Sequence, residues 1–212
     1  MKQVAVIGFG VLGQQLVNFL KEAGPVQQVI AFDDTIGAHA AVETVYPFAR
    51  YREPEFGDYD FYVGIGYKHL AARNRILADL KSLGRRLPSL IHATAYVSPY
   101  AQIGEGCLIF PQCNIDQNVV LGDGNILHNS VVISHDGVIG RCNYFSPSVT
   151  LCGNVQMGSE NFLGAGVTVS NGLTIENESR IGVGSCITKN IEANVSVIGN
   201  PQKQLQKQLN LW

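Results

Sequence analysis

From Ile91 to Thr188 an aliphatic or aromatic residue, once a methionine, recurs at every sixth position without a slip, beginning Ile91, Val97, Ile103 and ending Ile175, Ile181, Ile187. A period of six suits neither an amphipathic helix nor an alternating strand. It is the repeat of a β-solenoid whose flat faces each take one hexad. Three hexads close one triangular coil, so the seventeen hexads make between five and six coils, stacked at about 4.8 Å each. Glycine often follows the periodic residue, as at Gly104, Gly122, Gly140, Gly158, Gly164 and Gly182, and small side chains sit two residues before most aliphatics. Both features predict tight corners around a narrow core.

The repeat occupies only the second half of a 212-residue chain, so two domains are expected. The boundaries read as 1–86 for the first domain, 87–198 for the solenoid and 199–212 for a C-terminal cap. A net charge of −2 and the absence of a basic run argue against a nucleic-acid partner. The start enters a short apolar strand and meets a glycine turn, unlike a signal peptide, and no apolar run reaches the length of a membrane span. A cytoplasmic protein is expected. Cys107, Cys113, Cys142, Cys152 and Cys186 all fall in the repeat without metal-ligand spacing, and read as thiols that only pack.

Residues 3–7 read as a buried strand, followed by the turn Gly8-Phe9-Gly10-Val11-Leu12-Gly13, an amphipathic helix over about 14–23, and a second strand, 29–32, ending in Asp33-Asp34. Glycines spaced G-x-G-x-x-G, with an acid twenty to twenty-five residues on, form a dinucleotide fingerprint. In it, helix amides face a pyrophosphate and a carboxylate takes a ribose hydroxyl. The other reading is a half-Rossmann scaffold whose glycines only make a tight turn. Residues 36–57 read as loop with one short segment near 43–46, and a third strand, 61–65, ends at Gly66-Tyr67 before a helix over about 69–83. Three or four strands are too few for a complete NAD site, and a mononucleotide or nucleotide-sugar fits the length better.

Within the solenoid, Asn125, Asn143 and Asn161 repeat at the coil spacing of eighteen. They read as an inward ladder of amides that satisfy one another. After Gly199-Asn200-Pro201 the segment 203–209 reads as a short helix closing the open end, where strand edges need a cover. Histidine is the side chain best suited to move a proton near neutral pH, and the repeat carries His92, His128 and His135. His135 lies near a corner immediately before Asp136, a carboxylate able to orient its ring. A zinc site shared between subunits would need three histidines, and no His-x-x-x-x-His pair is present. No metal is therefore expected.

The glycine turn, Phe32-Asp33-Asp34 and Gly64-Ile65-Gly66 precede a repeat bearing His135-Asp136-Gly137-Val138-Ile139-Gly140, Phe145-Ser146-Pro147, Cys152-Gly153-Asn154-Val155, Phe162-Leu163-Gly164 and Gly199-Asn200-Pro201. In these motifs nearly the whole chain resembles the bacterial hexapeptide-repeat sugar acyltransferases, of the sialic acid O-acetyltransferase and bacillosamine N-acetyltransferase type. The resemblance implies an α/β half-Rossmann domain followed by a left-handed parallel β-helix, assembled as a homotrimer with acetyl-CoA between neighbouring prisms. It implies that His135 is the general base, assisted by Asp136. It further implies that Gly153, Ala165, Gly184, Asn200, Pro201 and Lys203 hold coenzyme A, with the Gly153 amide at the thioester. Gly8, Gly10, Gly13, Asp33, Asp34, Gly66 and Tyr144 are the implied acceptor-binding residues, Tyr144 beside His135. The chain departs from the family in the first turn, which lacks a Ser-Gly-His stretch, and in carrying Tyr144 where many members have a second histidine.

The leading expectation is an acetyl-CoA-dependent N-acetyltransferase acting on a nucleotide-linked amino-deoxy sugar. The alternatives are O-acetylation of a sugar hydroxyl at the same site and a binding module that has lost turnover.

Overall fold

The computed structural model describes residues 2–205 and divides the chain into two compact units, 1–90 and 91–212. The first is a parallel sheet of β1 (Lys2–Ile7), β2 (Val26–Phe32), β3 (Thr44–Tyr46) and β4 (Asp60–Val63) in the order β3-β2-β1-β4. Helices α1 (Val11–Ala23) and α2 (Leu70–Ser82) follow β1 and β4. The order runs outward one way from β1 and then reverses to β4. The crevice beyond the strand ends at β1 and β4 is therefore the topological switch point where open α/β sheets receive ligands. Val4, Ala5, Val6 and Ile7 are fully buried, and α1 turns Leu16, Val17 and Leu20 inward. That helix begins three residues earlier than its apolar pattern predicts, because Gly10 caps it and the exposed Val11 belongs to its first turn.

The second unit is a left-handed parallel β-helix built from two- and three-residue strands. Its first face stacks Leu108–Ile109, Ile126–Leu127, Tyr144–Phe145, Phe162–Leu163, Arg180–Ile181 and Ser196–Ile198. The second stacks Tyr96–Val97, Asn114–Ile115, Val132–Ile133, Thr150–Leu151, Thr168–Val169 and Cys186–Ile187. The third stacks Gln102–Ile103, Val120–Leu121, Val138–Ile139, Gln156–Met157 and Thr174–Ile175. Each periodic residue from Ile109 to Ile187 points into one continuous core. Ile91, at the end of the stack, is 41% exposed.

The corners are made differently from the expectation. The left-handed residue is the third after the periodic one: Gln112, Asn118, Ser130, Asp136, Cys142, Ser148 and Asn154 all have φ of 55–62°. Gly106, Gly124, Gly166, Gly172 and Gly184 fill the same position with φ of 64–69°. The glycines directly after the periodic residue serve coil stacking instead. A Cβ on Gly104 would lie 2.7 Å from the Asp123 amide, and one on Gly122 would lie 2.8 Å from the Gly140 carbonyl.

The asparagine column is a ladder, but from side chain to backbone. The Oδ1 atoms of Asn125, Asn143 and Asn161 accept from the amides of Asn143, Asn161 and Ser179 at 2.8–2.9 Å. The Nδ2 groups of Asn125 and Asn143 donate to the carbonyls of Gly140 and Gly158. Extended strands on one face leave inward amides nearer to the next coil's backbone than to each other.

The end of the stack also differs. Lys203–Gln204 is a strand, antiparallel to Ser196–Ile198, and the Leu205 amide donates to the Ser196 carbonyl at 2.8 Å. An unpaired strand edge offers backbone partners that an isolated turn of helix does not. The remainder of the expected helix lies outside the described residues. Three cysteines are buried, whereas Cys152 and Cys186 are only partly so. Cys107 and Cys113 also donate from sulfur to the carbonyls of Gly122 and His128, at 3.2 and 3.1 Å.

Candidate active site

His135 stands on the corner between the second and third faces, two residues after the inward Ile133. Its Nδ1 lies 2.8 Å from Asp136 Oδ2, and Asp136 Oδ1 accepts from Asn118 Nδ2 at 2.9 Å. The Asn118 amide and, after it, the His135 ring hold the Asp136 carboxyl below the usual carboxylate range. An ionised carboxylate only accepts, so Nδ1 carries the hydrogen in this contact, and in the neutral ring Nε2 then keeps its lone pair. Asn118 was not evident from the residues near His135. The one signal for it was its place eighteen residues before Asp136.

Gly153 is stacked one coil above His135. A Cβ there would lie 2.5 Å from the ring's Cε1 and 2.6 Å from Nε2, so the imidazole occupies the space a side chain would fill. The backbone holds this stacking, with the Asn154 amide donating to the His135 carbonyl at 2.9 Å. The Gly153 amide donates to Asn171 Oδ1 at 2.9 Å, so the group expected at a thioester is already engaged within the fold.

The other residues implied for coenzyme A gather at the next corner, between the first and second faces. There the Gly184 amide donates to the Ala165 carbonyl at 2.9 Å. Gly199, which leads into the cis peptide Asn200-Pro201, donates to Ser185 Oγ at 3.0 Å. Lys203 lies beyond, on the terminal hairpin. The second face thus runs from the Ala165–Gly184 corner to the His135–Gly153 corner.

Tyr144 is not beside His135 within the chain. Nine residues are half an eighteen-residue coil, which places it on the first face, opposite the His135 corner. There its ring packs with His128 and Phe162 at centroid distances of 4.9 and 5.7 Å.

In the first unit, the turn holding Gly8, Gly10 and Gly13 follows β1, and Asp33 follows β2 beside it, with the Gly8 amide donating to the Phe32 carbonyl at 2.9 Å. Gly8 adopts φ +81°, and a Cβ on Gly13 would lie 2.2 Å from the Gly8 carbonyl oxygen, whereas Gly10 faces open space. Gly64 packs on the same carbonyl, while Gly66 begins the turn before α2 with ordinary contacts. Buried Arg73 of α2 donates to the carbonyls of Val63 and Ile65 and secures this segment. Asp33 Oδ2 accepts from the Phe9 amide at 2.7 Å, and Oδ1 accepts from the Thr35 amide and hydroxyl. Partial burial opposes its ionisation, but the Thr35 hydroxyl and the Phe9, Thr35 and Ile36 amides outweigh this and hold the carboxyl low. Asp34 Oδ1 takes the Phe48 amide at 2.8 Å. Both acids are therefore already engaged within the fold, Asp33 with the turn after β1 and Asp34 with the segment after β3. Among the described residues, no group of three His, Cys, Asp or Glu side chains is placed to hold a metal, and no helix is long and apolar enough to cross a membrane.

The family model "Bacterial transferase hexapeptide (six repeats)" matches residues 89–135. No curated protein sequence matches significantly. Among solved structures, the acetyltransferase domain of PglB from Neisseria gonorrhoeae FA1090 is 28% identical, with a TM-score of 0.90 over 97% of this chain and 100% of that one. The same domain in complex with acetyl coenzyme A matches over 96% and 99% of the two chains. PerB from Caulobacter crescentus, in complex with CoA and GDP-perosamine, is 25% identical with a TM-score of 0.86 over 97% and 98%. WeeI from Acinetobacter baumannii AYE, 20% identical, shares the fold with a TM-score of 0.87 over 97% and 100%. In its repeat, and in fold over nearly its whole length, the chain resembles the hexapeptide-repeat sugar acetyltransferases.

Proposed function

We propose that the protein is an acyltransferase that moves an acetyl group from acetyl-CoA to the amino group of a nucleotide-linked amino-deoxy sugar, in cytoplasmic steps of bacterial glycan biosynthesis. The observation that carries this reading is the His135–Asp136 pair, with Nδ1 against the carboxylate and Nε2 beside Gly153, which is stacked one coil above the ring. The full-length likeness to acetyltransferases solved with acetyl-CoA, or with CoA and a GDP-sugar, supports the class of donor and acceptor.

In this mechanism Nε2 of His135 takes a proton from the amine as its nitrogen attacks the thioester carbonyl. The carbon–nitrogen bond forms, the carbon–sulfur bond breaks, and the coenzyme A thiolate leaves and is protonated. Asp136 stabilises the imidazolium. The developing oxyanion can use the Gly153 amide once Asn171 gives it up. The donor would lie along the second face, between the Ala165–Gly184 and His135 corners. The nucleotide would meet the open Gly10 and the first turn of α1, whose amides lack a side-chain cap. We further propose a homotrimer in which a neighbouring copy brings Tyr144 to the His135 corner.

The test is coenzyme A release with matched panels of amino and hydroxyl nucleotide-sugars. Turnover with amino sugars, reduced at least about a hundredfold in His135→Ala, is expected. Turnover with hydroxyl acceptors alone would replace the N-acetyl reading. Equal turnover in the variant would remove His135 as base.

A further inference from the structure

We infer that Asn118 is a positioning residue that sets the tautomer of His135 by holding Asp136 in place. The two residues are consecutive members of one corner column, with φ of 60° and 59°. The carboxylate is divided between two partners. Oδ1 takes the Asn118 amide at 2.9 Å and Oδ2 faces His135 Nδ1 at 2.8 Å.

Packing alone does not hold this arrangement, since the His135 and Asp136 side chains are 46% and 43% exposed. A side-chain contact so open to water is poorly oriented by itself. With Oδ1 anchored to the coil below, Oδ2 stays against the ring, Nδ1 keeps its hydrogen, and Nε2 presents a lone pair beside Gly153. With the anchor removed, the carboxylate turns into solvent and the ring samples both tautomers. Only one of those makes Nε2 a base. The Asn118 bond is also the largest of the influences that lower the Asp136 carboxyl from its ordinary range.

Only the rate consequence rests on the acetyltransferase reading, because the tautomer can be observed in ligand-free protein. Two substitutions suit the backbone. Asn118→Gly accepts a positive φ freely, as glycine already does at Gly106 and Gly124. Asn118→Asp keeps the shape and tolerates the left-handed region but has no amide to donate.

The experiment is long-range nitrogen-15 correlation spectroscopy of the histidine rings in mildly alkaline buffer, with His135 assigned by the loss of its signals in His135→Ala. Wild type is expected to show a single Nδ1–H tautomer, and both Asn118 variants a mixture, with unchanged melting behaviour. In turnover, kcat should fall about three- to tenfold, the equivalent of one net hydrogen bond, with KM for acetyl-CoA unchanged. A His135 spectrum identical to wild type in both variants would overturn the inference. If the tautomer responds but wild type transfers no acetyl group, the positioning role stands and the acetyltransferase reading falls.

Discussion

Gly153 and His128 show two opposite uses of a ring in the prism. At Gly153 the His135 imidazole fills the space of an absent side chain, so Gly153→Ala sets a methyl within 2.6 Å of Nε2. That substitution should cost activity about as heavily as loss of the base, at least about a hundredfold, while the coil still folds. Turnover near wild type would show that the ring can move aside. His128, by contrast, is wedged between Phe110 and Tyr144 at centroid distances of 4.5 and 4.9 Å, and its Nε2 has no hydrogen-bond partner among the described residues. Burial pushes its pKa down from 6.5 to about 4. Between those values the unfolded chain binds a proton that the folded one refuses. Stability is therefore full above about pH 6.5 and falls as the pH drops toward 4, by up to about 3 kcal/mol. Melting curves across that range should show a shallower acid loss in His128→Phe than in wild type. Parallel curves would mean that His128 titrates normally.

At the scale of elements, the glycine turn separates a packing role from a binding one. Gly13 and Gly64 both crowd the Gly8 carbonyl, where an added Cβ would lie at 2.2 Å, so β1, α1 and β4 close on one another only through bare backbone. Gly13→Ala should destabilise the first unit by about 1–3 kcal/mol, read as an earlier denaturant midpoint. Gly10→Ala should leave that midpoint nearly unchanged, since nothing lies near its Cβ, and should weaken nucleotide-sugar binding instead. Equal midpoints for the two variants would remove this division. The fingerprint spacing is legible in the sequence, but which glycine packs and which stays open follows only from how the strands approach. Likewise, the hexad repeat gives away the coils but not their corners. Asn, Asp, Ser and Gln all tolerate the left-handed conformation, so no single residue type marks that position.

Across the whole molecule, Tyr144 decides whether one chain can complete the site. It sits half a coil from His135, on the opposite face, so a role in the acceptor pocket requires a second copy. Mixed assemblies of His135→Ala and Tyr144→Ala chains should then recover activity, because one kind of interface retains both intact residues. No recovery, with both single variants impaired and the assemblies shown to mix, would exclude a shared site. The sequence by itself determined the solenoid, the small α/β unit before it, and the candidate base beside its acid. An unbroken period, a glycine spacing and an adjacent pair are all local in the chain. Tertiary structure alone decided that Asn118 anchors that acid, that Gly153 lies against the base with its amide already bonded, and that Asp33 braces the turn. It also decided that Tyr144 faces away. These relations join residues half a coil, a full coil or a whole strand-helix unit apart, and the geometry of stacking, rather than distance along the chain, sets which of them meet.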